Sequence, residues 1–227
     1  MWVQDVADSL SRDILDRPQT RKLGTVRHFP ERTTLLRSGR KSFSLGIMEK
    51  GVVGIYSYSI IGNRRMVRLL GPGDIVVDSQ IAAWPGNAES ATAVVIRCMD
   101  KFMLDKLATD KPKLFGWLAD ELAQQSQAAQ EVKCAINRLP ADGRLALFLT
   151  KLIERPLEGK SNVVSWRRNP VVGIPISRDD LASYLGLSPA KLNQAVQILQ
   201  QCGIIRLLTP RHFEILNLRS LGSLLSL

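Results

Sequence analysis

Two histidines and three cysteines are all that this 227-residue sequence contains of the softer metal ligands. The histidines, His28 and His212, stand far apart in the chain, and Cys98, Cys134 and Cys202 form no CxxC pair. An odd, scattered set of cysteines argues against a disulfide framework and for a reducing, cytoplasmic setting. A metal-dependent oxygenase built on a strand-rich roll needs two histidines and a carboxylate around one metal, so that reading fails on ligand count. GxSxG, HExxH and P-loop motifs are absent as well, so the chain is not expected to be an enzyme, and no cofactor is expected. Long apolar runs are missing: none approaches the roughly eighteen residues that span a bilayer. The first fifteen residues carry Asp5, Asp8 and Asp13 within an amphipathic pattern. They lack the basic start and apolar core of a signal peptide, and no membrane partner is expected.

Positive charge, by contrast, is plentiful. The formal net charge is +10, beyond what solubility needs, and it favours a polyanionic partner. Residues 139–227 hold 11 Lys and Arg against 6 Asp and Glu, whereas residues 1–138 hold 20 against 15. The shorter C-terminal part is the denser in positive charge.

Hydrophobic periodicity divides the chain into three textures. Residues 1–23 read as one or two short helices. From Gly24 to about Leu107, short apolar runs alternate with turn residues: Val26–Phe29, Thr34–Leu36, Ser44–Met48, Val52–Tyr58, Met66–Leu70, Ile75–Val77, Thr92–Ile96 and Phe102–Leu104 are candidate strands. Many short strands at regular spacing indicate a sandwich, barrel or roll. From about Lys113 to Leu139 the period becomes helical. Leu118, Leu122, Gln125, Ala129, Val132, Ile136 and Leu139 follow spacings of four and three, a 3.5-residue seam suited to a dimer helix, with Gln125 as its one polar member. Packing of that seam against the roll is the alternative. Pro140-Ala141-Asp142 ends the helix, and a new one follows with Leu145, Ala146, Leu149, Leu152 and Ile153 on its apolar side. Val163–Trp166 and Val171–Ile174 read as strands flanking a turn at Arg168-Asn169-Pro170, and Leu218–Leu227 as a short apolar terminal segment.

The stretch from Ile176 to Leu216 carries the chemistry. Ser177-Arg178-Asp179-Asp180 opens a helix with Leu181, Ala182 and Leu185 on its inner side, and Gly186 permits a sharp turn. Ser188 is a good N-cap, with Pro189 at the first helical position. Leu192, Ala195, Val196 and Leu199 then define a buried face. The opposite face carries Ala190, Gln194, Gln197 and Gln201, flanked by Lys191 and Asn193. An amide-rich face with a basic flank can hydrogen-bond base edges in a major groove. After Gly203, Ile204–Leu208 and His212–Leu216 around Thr209-Pro210 read as a hairpin wing.

Roll, long helix and winged helix-turn-helix, in that order, resemble the CRP/FNR family of bacterial transcription regulators over nearly the whole length. Gly46–Val53 resembles the family's L..G.V roll turn, and Gly62-Asn63-Arg64 its next hairpin. Leu69-Leu70-Gly71-Pro72-Gly73-Asp74-Ile75 resembles lGpGd, and Asp142–Ala146 the R.A start of the DNA-binding domain. Ser177–Ser188 is similar to the first helix and turn of the motif. The resemblance implies an α+β fold: an antiparallel β-roll over 1–110, a dimerisation helix over 111–139 and a winged helix-turn-helix over 140–227. It also implies a homodimer bound to duplex DNA, with RNA polymerase as a candidate third partner and an effector left undefined. A signalling adaptor that has lost DNA binding is the alternative.

The departures bear on mechanism. Cyclic-AMP-binding members hold the cyclic phosphate with Arg-Ser or Arg-Thr, and Glu89-Ser90 aligns with that pair here. A carboxylate facing a phosphate is repulsive, so activation by cyclic AMP is not expected. Iron–sulfur members have cysteines near the amino terminus, absent here before Cys98, and a lone His28 does not make a haem site. Cys98 and Cys134 are expected to be buried thiols. In the recognition helix Ala190 replaces a Glu and Gln194 an Arg, so an operator unlike the common TGTGA half-site is expected. Gln194 and Gln197 are expected to read bases, with Ser188 and Asn193 beside them. Arg178, Lys191, Arg211 and His212 are placed nearer phosphates. Leu118, Leu122, Gln125, Ala129, Val132 and Ile136 are expected at the dimer interface.

Overall fold

The computed structural model describes residues 23–37, 40–41, 43–59, 62–78, 86–154 and 169–225. The expected helices within 1–22 and the strand at 163–166 lie outside the described residues. The chain divides into two compact units at Gln130/Glu131.

The first unit is an antiparallel roll. One sheet has the order β1-β9-β4-β7, from β1 (Thr25–Phe29), β4 (Leu45–Lys50), β7 (Ile75–Val77) and β9 (Val94–Met99). The other runs β3-β2-β8-β5-β6, from β2 (Thr34–Arg37), β3 (Arg40–Lys41), β5 (Val53–Tyr58), β6 (Arg64–Leu70) and β8 (Asn87–Ser90). Leu35, Val53, Ile55 and Ala88 of the second sheet share a core with Met48, Val76, Val94 and Ile96 of the first. The outer face of the first sheet has its own cover. Leu45, Ile47, Ile75 and Met99 pack with Leu104 and Leu107 of α1 (Lys101–Asp110) and Leu118 of α2 (Pro112–Arg138). Strand β4 is therefore buried on both faces, which is why Leu45-Gly46-Ile47-Met48 runs apolar without alternation. Gly51 turns the chain from β4 to β5 at φ +81°, where a Cβ would sit 2.2 Å from the Ala93 carbonyl oxygen. Only glycine fits there.

The second unit contains the end of α2, then α3 (Ala141–Glu154), α4 (Arg178–Leu185), α5 (Pro189–Gln201) and the short α6 (Leu218–Ser223). Its sheet has the order β10-β12-β11, from β10 (Val171–Gly173), β11 (Ile205–Thr209) and β12 (His212–Ile215). Leu145, Leu149, Leu181, Leu185, Ala195, Leu199 and Phe213 are all essentially fully buried, and α3 packs on α5. The Phe148 and Tyr184 rings meet edge-on, 5.7 Å apart.

Two expectations are corrected, and one strand was not anticipated. Phe102–Leu104 lies in α1, not in a strand, because Asp100 accepts a hydrogen bond from the Met103 amide and caps a helix there. Asn87–Ser90 forms β8 although it carries three polar residues, since its pairing with β2 and β5 buries Ala88 and Ser90 alone. Cys134 is exposed, as is Cys202; only Cys98 is buried. Burial pushes the Cys98 thiol up to about 11, against a smaller opposing pull from Arg27. Because the thiolate is the nucleophile, a disulfide reagent at pH 8 should label Cys134 and Cys202 quickly and leave Cys98 untouched. Labelling of Cys98 in the native protein should rise only as the pH approaches 11. Three equal fast phases at pH 8 would contradict this placement.

Candidate nucleic-acid interface

Local capping builds the helix pair. The Ser177 hydroxyl accepts from the Asp180 amide at 3.0 Å and starts α4. Gly186 ends it in the left-handed region at φ +65°, and the Leu187 amide returns to the Ala182 carbonyl at 2.9 Å. Two residues later the Ser188 hydroxyl accepts from the Lys191 amide at 3.3 Å, with Pro189 in the first turn, and α5 begins. Leu192, Ala195, Val196 and Leu199 are buried. Ala190, Lys191, Asn193, Gln194, Gln197 and Gln201 are exposed, together with Ile198 at 37%. The amide-bearing residues singled out from periodicity thus do lie on one open face.

The turn between these helices is gripped from a third element. The Arg144 guanidinium, on α3, donates to the Leu139 carbonyl at 2.9 Å, to Leu185 at 3.1 Å and to Gly186 at 3.4 Å. One side chain thereby satisfies carbonyls left over at the ends of two helices. Arg144 appears in the R.A motif, but spacing alone does not disclose this role.

The wing is fixed by a second arginine. Arg178 lies at the start of α4; its Nε donates to the Pro210 carbonyl at 3.1 Å and its guanidinium sits 5.3 Å from the centre of the buried Phe213 ring. Burial lowers its pKa from the ordinary value. Through Nε, Arg178 ties the wing tip to α4, while its Nη1 is buried without a hydrogen-bond partner. Arg206 pairs with Glu214 at 3.0 Å, and Glu214 also accepts from Asn169 Nδ2 at 3.0 Å. Arg211 is exposed at the wing tip, and His212 Nδ1 is bonded to the Thr209 hydroxyl at 2.8 Å.

In the roll, Leu36, Ile55, Leu70, Val76, Ala88 and Leu122 line a cavity of about 320 Å³, together with Arg68 and Ser126. Glu89 is not among the lining residues. It points outward from β8, bonded to Arg64 Nη2 at 2.8 Å and to the Tyr58 hydroxyl at 3.3 Å. Strand alternation turns Ala88 inward and Glu89 out, so the carboxylate does not line this cavity. Along α2, Leu118 is 2% exposed within the single chain. Gln125 is bonded to β7: its Nε2 donates to the Ile75 carbonyl at 2.9 Å and its Oε1 accepts from the Ile75 amide at 2.8 Å. Leu118 and Gln125 are therefore taken up by the roll of their own chain and have little to present to a second copy. Leu122 is half-buried against the same cluster. Ala129 and Val132 are half-buried, and Ile136 is buried. No cluster of metal-ligating side chains occurs among the described residues, and no helix there is long and apolar enough to cross a membrane.

A β-roll, a long helix and a winged helix-turn-helix follow one another along the chain. Residues 143–224 match the Crp-like helix-turn-helix domain family. The chain is similar to the nitrogen fixation regulation protein FixK of Bradyrhizobium diazoefficiens, at 24% identity over 87% of this chain and 81% of the relative. Among solved structures it is similar in fold to FixK2 from Bradyrhizobium japonicum (TM-score 0.69, 19% identity, 89% of this chain and 97% of that one). It is also similar to a CooA mutant from Carboxydothermus hydrogenoformans (TM-score 0.71, 14% identity, 96% and 97%). Residues 143–224 thus match a Crp-like helix-turn-helix domain, and the chain over most of its length is similar to CRP/FNR-type regulators.

Replacing Arg144 by Ala should cost about 2–3 kcal/mol, the size expected when charge-assisted hydrogen bonds to partly buried carbonyls are lost. Thermal melting checks this. Lys in its place, a single-headed donor, should recover less than half of the loss.

Proposed function

We propose that this protein is a homodimeric, sequence-specific DNA-binding transcription regulator of the cytoplasm that is not activated by cyclic AMP. The observation that carries the reading is the open face of α5, where Asn193, Gln194 and Gln197 stand together beside Lys191. Amide side chains pair best with the N6/N7 edge of adenine, so the preferred half-site is richer in A·T steps than one read by Arg and Glu. Lys191 serves phosphates, and Arg211 is exposed at the wing tip. The cyclic AMP part rests on the cavity. Residues 78–90 contain no Lys or Arg. Arg68, the one cation among the described lining residues, donates to the Gln125 backbone carbonyl at 2.7 Å.

Selection of bound duplexes from a random library by the purified protein should return a two-fold symmetric site, with half-site centres about one helical turn, or ~34 Å, apart. Adding cyclic AMP should change neither the enriched sequence nor the affinity. Gln194→Ala should weaken binding to that site by about 1–3 kcal/mol while leaving non-specific binding at low salt intact. An equal loss on random duplexes would sink the assignment of Gln194, and failure to enrich any sequence would favour an adaptor without DNA binding.

The dimer reading uses the side of α2 that the roll leaves open. Phe115, Ala119, Leu122, Ser126 and Ala129 keep the four-three spacing, displaced round the helix from the buried Leu118. Phe115 is 39% exposed, and Ala119 and Ser126 are exposed. Small residues there permit close approach of two helices, which a long cation blocks. Ser126→Arg should therefore give a folded monomer in light scattering at micromolar concentration, with DNA affinity lowered at least a hundredfold through loss of the second half-site. A Ser126→Arg protein that remains a dimer would place the interface elsewhere.

A further inference from the structure

The wing ends in an apolar point that the helix-turn-helix itself does not require. Where β11 pairs with β12, Leu207 faces Phe213 and Thr209 faces His212, so Leu208 is an extra residue without a cross-strand partner. A bulge of this kind bends the strand and re-aims a side chain out of its alternation. Leu208 is 48% exposed as a result. The residues beyond it are held firmly. The Arg211 amide donates to the Thr209 hydroxyl at 3.2 Å, the Ile174 amide to the Arg211 carbonyl at 2.7 Å and Arg178 Nε to the Pro210 carbonyl at 3.1 Å. Pro210 fixes its own φ. The tip is thus a stiff platform bonded to α4, and it presents one aliphatic side chain with an exposed Arg211 three residues on.

We propose that Leu208 and Arg211 engage the minor groove of duplex DNA beside the major-groove contact of α5, Leu208 as a wedge and Arg211 as the charged anchor. This rests on the DNA-binding reading above and adds a second site of sequence preference to it. The chemistry favours this occupant. Apolar side chains such as Leu enter minor grooves by packing against sugars and opening a base step. Arginine is drawn to the narrow, electronegative minor groove of A·T-rich sequence. An apolar protein surface would be served by Leu208 but not by the neighbouring cation. A phosphate contact would be served by Arg211 but not by an exposed leucine. The minor groove serves both, and because the wing is bonded to α4, its tip lies at a fixed offset from α5 in the same domain. Guanine places an amino group on the groove floor, so the wing should disfavour G·C pairs at the flank.

Three duplexes with one selected core and different flanks test this: A·T, G·C, and inosine·cytosine, which keeps the major-groove pattern of G·C but lacks the minor-groove amine. The wild-type protein should bind the A·T and inosine flanks about tenfold more tightly than the G·C flank. Leu208→Ser should lower affinity for the A·T flank severalfold, and Leu208→Ser with Arg211→Gln should abolish the flank preference. Both variants should melt as the wild type does, since both side chains are exposed. Gln194→Ala should lose core discrimination but keep the flank preference. A wild-type protein that reads the core yet treats all three flanks alike, or treats inosine like guanine, overturns the wedge and leaves the DNA-binding reading standing. Absence of binding to any duplex at low salt removes both.

Discussion

The geometry of the recognition unit depends on how the carbonyls at its turn are satisfied. Helix α4 is only eight residues long and must stop abruptly at Gly186 so that α5 can start at Pro189. An abrupt stop leaves backbone acceptors exposed at the point where two helices have to pack closely. Arg144 meets that need from α3 with a planar fork that reaches Leu139, Leu185 and Gly186 at once. A single-headed donor could serve one carbonyl but not hold both helix ends in register. The amide face of α5 is thereby presented by a fixed turn, and the two serine caps, Ser177 and Ser188, set where each helix begins.

Polar side chains serve the roll in a comparable way. Strand β7 is an edge of the four-stranded sheet, and an edge leaves backbone groups unpaired. Gln125 closes part of that edge by returning both a donor and an acceptor to Ile75, as a neighbouring strand would. Arg68 holds the same turn of α2 from β6 through the Gln125 carbonyl. Leu122 and Leu118 add apolar contact one and two turns earlier. The register of α2 on the roll is therefore set by directed hydrogen bonds as well as by hydrophobic packing, which alone would tolerate rotation of the helix.

Much of this could be read from the sequence, and the failures have identifiable causes. The helix pair was legible because its signals are local: a cap, a glycine, a second cap with proline, and a 3.6-residue apolar period. The 3.5-residue seam of α2 was legible as a buried stripe, but a stripe does not say what buries it. Leu118 and Gln125 face their own roll, and the face left over is one residue round the helix. Alternation along β8 decides that Ala88 looks inward and Glu89 outward, yet that phase is set by pairing with β2 and β5, not by the four residues themselves. Arg178 has partners that its sequence position does not disclose. A cation at the start of the first helix has the composition of a phosphate contact, and only the fold brings Phe213 and Pro210, more than thirty residues away, against its guanidinium.

These internal uses of arginine change what the net charge of +10 means. In the helix-turn-helix and wing, Arg144 and Arg178 serve backbone carbonyls, and Arg206 is neutralised by Glu214. Among the described residues of these elements, that leaves Lys191 and Arg211 as the exposed cations closest in sequence to the reading surface. Each phosphate neutralised by a protein cation contributes a nearly fixed increment to the salt dependence of binding. Charge of that kind adds affinity for any sequence. Discrimination then has to come from groups that distinguish one base edge or groove shape from another. In the proposed complex the amide face of α5 does this by hydrogen bonding and the rigid wing by shape.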